Sequence, residues 1–292
     1  MKGIILAGGS ATRLYPITRV ISKHLLPIYD KPMIYYPLSV LLLGKIRDIL
    51  LISTERDIKR FKELLGDGSN WGINIEYAIQ NKPHGIAEAF LIGKDFIGNE
   101  HVVLILGDNV FFGHGLTDLM KDSISTVEKE KKSVIWAYTV KNPEHYGVIE
   151  IDKNGIPLSI EEKPKKPKSN WAVVGIYFYP PDVVSKAETL SPSARGELEI
   201  TDLNRFYLQE NRLEVKLMGR GYAWLDTGTA ENLLVASQFV ETIEKRTGLK
   251  IACLEEIAYR NGFITKKQLI KIANSMKHSA YGRYLLKIAK EL

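Results

Sequence analysis

Between residues 2 and 106 the chain repeats one rhythm: a short apolar run, a turn, then a segment whose apolar residues recur at helical spacing. Residues 4–7, 48–53, 73–78 and 101–106 read as strands, and residues 33–43, 54–65 and 85–96 as the helices between them. Strands that are apolar on both faces and alternate with helices belong to a parallel sheet built from right-handed crossovers. The expectation is an α/β, Rossmann-like, mainly parallel sheet flanked by helices. Lys31-Pro32 reads as a helix start, since proline is pre-set for a first turn, and Thr54 as a cap.

From about residue 133 the rhythm changes. Residues 134–140, 147–151, 157–161 and 171–179 are strand-like without long helices between them, and Asn154-Gly155 is a hairpin turn signal. These read as β-hairpin insertions. A helix is expected over 197–209, short strands over 213–217 and 222–225, and a long helix over 229–247 capped by Thr229 and stopped by Gly248. Residues 253–292 are helical by period and carry no evident chemistry.

The first strand runs into Gly8-Gly9-Ser10-Ala11-Thr12-Arg13, with Lys23 ten positions on. Small residues let a backbone turn sharply and bring its amides to a ligand, and such amides suit phosphate oxygens. Arg13 adds a planar fork and Lys23 a point charge. The loop is neither G-x-G-x-x-G nor a Walker A sequence, which sets aside dinucleotide dehydrogenases and P-loop ATPases. Asp108 ends the apolar run 102–106, at the carboxyl end of a parallel strand where ligands bind in such sheets. It reads as a magnesium ligand or as a cap for the helix starting near Gly115. Asp226, ending the run 222–225, reads as a second ligand or a cap for the helix from Thr229. Two carboxylates plus phosphate oxygens suffice for Mg²⁺, which rarely takes an all-protein cage.

Several chemistries fall away. A net charge of +6 suits an anionic substrate, but the basic residues are scattered and no nucleic-acid-binding signature appears, so no nucleic-acid partner is expected. Cys253 is the one cysteine, which precludes a disulfide within the chain. No metal-binding histidine pair and no G-x-S-x-G elbow occurs. No apolar run approaches the ~20 residues that span a bilayer, and the chain opens directly on a strand, so a cytoplasmic protein away from membranes is expected.

The loop 8–16 resembles the GG-x-[GA]-T-R-L-x-P signature of the sugar-1-phosphate nucleotidylyltransferases. The segments at 29–37, 106–109, 161–164, 193–202 and 224–228 resemble, in order, the branch of that family that acts on glucose 1-phosphate with dTTP. The resemblance implies a nucleotide-diphospho-sugar transferase fold in one domain over 1–240. Residues 1–132 would form the nucleotide half, residues 133–240 the sugar half, and 241–292 a helical segment packed on the body or a neighbouring subunit. It implies that Arg13, Lys23 and Lys163 act in catalysis. Gly8, Gly9, Ser10, Ala11, Thr12, Arg13, Gln80, Pro83, Gly85 and Asp108 would bind nucleotide, with the Gln80 amide presenting donor and acceptor together to a pyrimidine. Asn109, Tyr146, Gly147, Glu162, Lys163 and Val173 would bind sugar, and Asp108 and Asp226 would hold Mg²⁺. Further implications are dTTP, glucose 1-phosphate, dTDP-glucose and pyrophosphate as partners, a role in making dTDP-sugars such as dTDP-rhamnose, and a homotetramer. A feedback site near Gly115, Gly219-Arg220 and Glu255-Glu256 is also implied. A UTP-using uridylyltransferase and a non-catalytic nucleotide-sugar sensor on the same fold remain open at this point.

Overall fold

The computed structural model describes residues 1–291. The strands are β1 (Lys2–Ala7), β2 (Pro27–Ile28), β3 (Lys31–Pro32), β4 (Asp48–Ser53), β5 (Asn74–Ile79), β6 (Val102–Leu106), β7 (Asn109–Gly113), β8 (Ser133–Thr139), β9 (Gly147–Ile151), β10 (Pro157–Glu162), β11 (Trp171–Tyr179), β12 (Leu213–Met218) and β13 (Tyr222–Asp226). The helices are α1 (Tyr35–Leu43), α2 (Glu55–Leu65), α3 (Glu88–Ile92), α4 (Lys94–Ile97), α5 (Leu116–Glu130), α6 (Val183–Glu188), α7 (Ile200–Gln209), α8 (Ala230–Thr247), α9 (Leu254–Arg260), α10 (Lys266–Ser275) and α11 (Ala280–Glu291).

β1 lies at the centre of a nine-stranded sheet, between β4 and β6 and parallel to both. β5 extends the parallel half beyond β4. On the other side β11 runs antiparallel to β6, and the sheet then forks into a β8–β12 limb and a β9–β10 limb. Only β10 and β11 oppose the common direction, so the sheet is mixed and mostly parallel. Alternate residues of each strand face opposite helix layers. Ile5, Leu51 and Val103 pack in the cluster that includes residues of α1, α5 and α9–α11, whereas Ile4, Leu50 and Leu104 pack in the cluster with α3, α6 and α7. β7 and β13 form a separate antiparallel ribbon beside the sheet, under α8.

The long strands fall close to their expected places. Three readings are corrected and one strand is added. Lys31-Pro32 does not open a helix; it pairs with Pro27–Ile28 as the hairpin β2–β3, and α1 begins at Tyr35. The helix expected over 85–96 is two short helices broken at Gly93, where an added Cβ would stand 3.1 Å from the Ile4 side chain and 3.0 Å from the Ala89 carbonyl. α7 begins at Ile200 because the residues before it run extended beside the loop at His84. β7 had no element assigned to it; its sequence carries no alternation, and pairing with β13 makes it a strand. The C-terminal helices pack on the body. The buried Trp71 indole donates to Glu255 at 3.0 Å, and the Tyr281 hydroxyl donates to the same carboxylate.

Candidate functional site

β1, β4 and β6 end side by side, and the loops that leave them form the floor of a cleft. In the first loop Gly9 has φ +91° and Ala11 φ +46°, so the chain doubles back on itself. The buried Thr18 hydroxyl donates to the Ala11 carbonyl at 2.8 Å and holds the turn from behind. Gly8 and Gly9 line a cavity of about 200 Å³ together with Lys23, Gln80, Pro83, Gly85 and Asp108. Ser10, Ala11 and Thr12 line neither this cavity nor the larger one beside it. Arg13 reaches across to the larger one: a Cβ on Gly228 would lie 2.8 Å from its guanidinium.

Gln80 is buried at the end of the smaller cavity. Its amide nitrogen donates to Glu88 at 2.7 Å and to the Gly85 carbonyl at 3.3 Å, which fixes the orientation of the amide. Its oxygen sits 2.8 Å from where a Gly8 Cβ would be, so any side chain at residue 8 would press on the amide. The expected pairing of donor and acceptor is therefore corrected. Both amide hydrogens are committed to the protein, and Gln80 offers the cavity an acceptor.

Asp108 is the hinge between the two cavities and lines both. Neither aspartate is a helix cap: α5 starts after Gly115, and the Thr229 hydroxyl, not Asp226, accepts from the Asn232 amide at the start of α8. The Lys23 ammonium donates to Asp108 Oδ2, and the Asn109 amide donates to Oδ1 at 2.9 Å. Burial pushes the Asp108 carboxyl up, but Lys23, His24 and these hydrogen bonds outweigh it and hold it well below the usual carboxylate range. Asp226 moves the other way, raised by burial and by the neighbouring charge of Asp108. Two carboxylates that repel one another on one wall favour a cation between them. Among the described residues no group of three or more His, Cys, Asp or Glu could hold a metal alone, so a cation here would complete its shell with phosphate oxygens and water.

The larger cavity, about 740 Å³, takes its walls from the fork in the sheet. Val173, Gly175 and Tyr177 line it from alternate positions of β11. Tyr146, Gly147, Glu162 and Lys163 line it from β9, β10 and their flanks, and Asn109, Trp224 and Asp226 from the ribbon β7–β13. Glu162 accepts from the Thr201 hydroxyl at 2.6 Å and lies 3.4 Å from Arg195. Lys163 sits half-exposed, its ammonium 3.8 Å from Glu162. Asn109 is placed here as expected, but its oxygen accepts from the Trp224 indole at 2.6 Å and the Gly175 amide at 3.2 Å. Three of its four polar positions thus hold the site together rather than face the cavity. Arg195, Thr201, Tyr177 and Trp224 had no assigned role in the sequence. The run 193–202 was visible as a motif, but charge spacing alone did not show that Arg195 spans Glu162, Glu197 and Glu199.

A separate cavity of about 620 Å³ lies between the start of α5 and the C-terminal helices, lined by Gly115, Lys250, Cys253, Glu256 and Arg260 among others. Gly219 and Arg220 are not part of its lining, and Glu255 is turned away to Trp71.

Residues 2–243 match the family described as nucleotidyl transferase. The chain is 56% identical over its full length, and the full length of the relative, to a glucose-1-phosphate thymidylyltransferase of Neisseria meningitidis. It is 53% identical to one of Mycobacterium tuberculosis, covering 99% of each chain. Among solved structures it is similar to a chain described as a glucose-1-phosphate thymidylyltransferase from Bacillus anthracis in complex with a sucrose, at TM-score 0.75 and 41% identity, over 82% of this chain and 94% of that one. A UDP-glucose pyrophosphorylase complexed with UDP-glucose gives TM-score 0.73 and 27% identity, over 83% of this chain and 98% of that one.

Proposed function

This chain belongs to the nucleotidyl transferase family, and we propose that it transfers dTMP from dTTP to α-D-glucose 1-phosphate, giving dTDP-glucose and pyrophosphate. The observation that carries the reading is the junction at Asp108. A small cavity with a glycine floor and an amide acceptor opens there into a larger one walled by hydroxyl-binding and cationic side chains. The first suits a nucleoside triphosphate and the second a sugar phosphate.

A sugar 1-phosphate has a second pKa of ~6, so at neutral pH it is mostly a dianion and needs no general base to attack. Its oxygen forms a bond to the α-phosphorus, the bond from that phosphorus to the bridging oxygen breaks, and the electron pair leaves with pyrophosphate. The protein's work is alignment and charge stabilisation. In this reading Gly8 and Gly9 bring the loop backbone to the triphosphate, with Ser10, Ala11 and Thr12 shaping the turn. Arg13 spans the phosphates and stabilises the leaving group, Lys23 neutralises charge beside Asp108, and Lys163 positions the nucleophile. Gln80 accepts from the pyrimidine ring, Pro83 and Gly85 frame it, and Tyr146, Gly147, Glu162, Val173 and Asn109 enclose the sugar. Asp108 and Asp226 fit a divalent cation, Mg²⁺ by their all-oxygen donors, and would hold it. When bound it would supply charge neutralisation at the phosphates. No helix of the described residues is long and apolar enough to cross a membrane. A role in dTDP-rhamnose formation, a cytoplasmic location, a homotetramer, the division at residues 132 and 240, and a regulatory nucleotide in the 620 Å³ cavity extend the same reading.

The test is pyrophosphate release from dTTP and glucose 1-phosphate, with UTP in competition. Arg13→Ala is expected to lower turnover at least about 100-fold, the scale of losing one transition-state donor. Near-normal turnover would sink the role of the loop, preference for UTP would move the chain to the uridylyltransferases, and binding without pyrophosphate release would make it a sensor.

A further inference from the structure

The ladder between β7 and β13 ends where Asp226 faces Asn109. One residue beyond it, Thr227 is completely buried and touches neither cavity. Its hydroxyl donates to the backbone carbonyl of Asp108 at 2.7 Å, and its own amide lies 3.4 Å from the same oxygen. The hydroxyl oxygen also rests 3.2 Å from Met33 Sδ. The segment around Met33 is in turn bonded to the Lys23 turn, through Met33 to the Leu26 carbonyl and Ile34 to the His24 carbonyl, each at 2.9 Å. One buried hydroxyl therefore stands behind all three charged groups at the cavity junction: Lys23, Asp108 and Asp226.

We infer that Thr227 is a positioning residue that sets the spacing of Asp108 and Asp226, and through it the grip of the pair on a divalent cation. The inference rests on the assignment of those two aspartates as the metal ligands. Beyond the last ladder pair, Asp226 with Asn109, the two backbones are held together by the Thr227 hydroxyl and amide on the one Asp108 carbonyl, and the hydroxyl makes the shorter contact. Two like charges on one wall repel one another, so without a brace they relax apart. Mg²⁺ demands near-ideal geometry and is sensitive to such relaxation. A buried hydroxyl could also serve stability alone, and the test separates the two roles.

The measurement is the affinity for dTTP, without sugar phosphate so that no reaction occurs, by calorimetry with Mn²⁺ and again with a chelator. The ratio of the two affinities is the coupling between metal and nucleotide on the protein. Thr227→Val keeps the shape but places a methyl against the Asp108 carbonyl, which must retreat by several tenths of an ångström. It is expected to lose about tenfold of the Mn²⁺-dependent tightening, the scale for partners behind metal ligands, with chelated affinity essentially unchanged. Thr227→Ser retains the donor and is expected to restore the coupling. Should the valine variant fold poorly, Thr227→Ala removes the same donor without the methyl. Asp226→Asn is the control. If it abolishes the Mn²⁺ effect while Thr227→Val behaves as wild type, the positioning role is overturned and the metal assignment stands. If Asp226→Asn leaves the effect intact, the metal assignment itself is wrong and the inference falls with it. Equal weakening with and without metal in Thr227→Val overturns the inference in favour of a structural hydroxyl.

Discussion

His24 shows how one side chain can be read in type but not in environment. It follows Lys23 in a short turn, is fully buried, and shares a 3.0 Å hydrogen bond with Ser22. Burial, aided by the Lys23 charge, pushes its pKa down to about 3 from an ordinary 6.5. Above pH 6.5 the ring is neutral whether the chain is folded or not, so it adds no pH dependence. As pH falls through 6.5 the unfolded chain takes up a proton that the folded one refuses, and stability declines until about pH 3. The full span corresponds to roughly 4–5 kcal/mol at one pKa unit per 1.36 kcal/mol. Urea unfolding at pH 7, 6, 5 and 4 is expected to show a steeper loss for wild type than for His24→Asn, and parallel profiles would refute it. Arg13, Lys23 and Asp108 were singled out because strand ends and glycine turns are local signals, and Asp226 through the family resemblance. That Lys23 would pair with Asp108, and that both hydrogens of the Gln80 amide would be spent on Glu88 and Gly85, depended on partners brought together by folding.

At the scale of elements, the loop from Gln80 to Ala87 illustrates the same division. Gly85 was placed among the residues expected to bind nucleotide. The structure shows that backbone approaches it: φ is +108°, and a Cβ there would lie 2.3 Å from the Leu198 carbonyl. Leu198 is stitched to this loop by its amide to the His84 carbonyl at 2.6 Å and by the Ala87 amide to its own carbonyl at 3.2 Å. This crossing of two loops brings Glu197 and Ile86 into both cavities. Gly85→Ala is expected to destabilise by roughly 2–4 kcal/mol, combining a strained dihedral with overpacking, and to raise KM for dTTP because Gln80 is held by the Gly85 carbonyl. Denaturation midpoints and substrate titrations check both parts; an unchanged midpoint would mean the crossing is loose. Helices with clear period and caps were legible, as Thr229 and Gly248 at the ends of α8 show. β7 and the hairpin β2–β3 were not, because pairing across the chain, not pattern within it, makes them strands.

For the molecule as a whole, the C-terminal helices share the core of the sheet rather than forming one of their own: Leu254, Leu269 and Leu285 lie in the same cluster as Leu38, Ile49 and Trp71. Glu255, buried, is the polar tie, accepting from Trp71 and Tyr281. Glu255→Ala strands both donors in an apolar setting and is expected to cost roughly 2–4 kcal/mol, the desolvation of two unpaired groups. Because the core is common, calorimetry should show one transition shifted down, and a separate early transition for residues 253–291 would contradict it. The sequence alone determined what is set by neighbours along the chain: the alternation that demands a largely parallel sheet, the glycine turn at its centre, and the oxygen and cationic chemistry at the strand ends. Folding decided which of those groups meet. The fork at β11, the ribbon that carries Asp226 to Asp108, and the reach of Arg13 to Gly228 join residues about 30 to over 200 positions apart. Period and propensity act over a few residues, whereas strand order is set by which apolar faces the whole chain can bury at once.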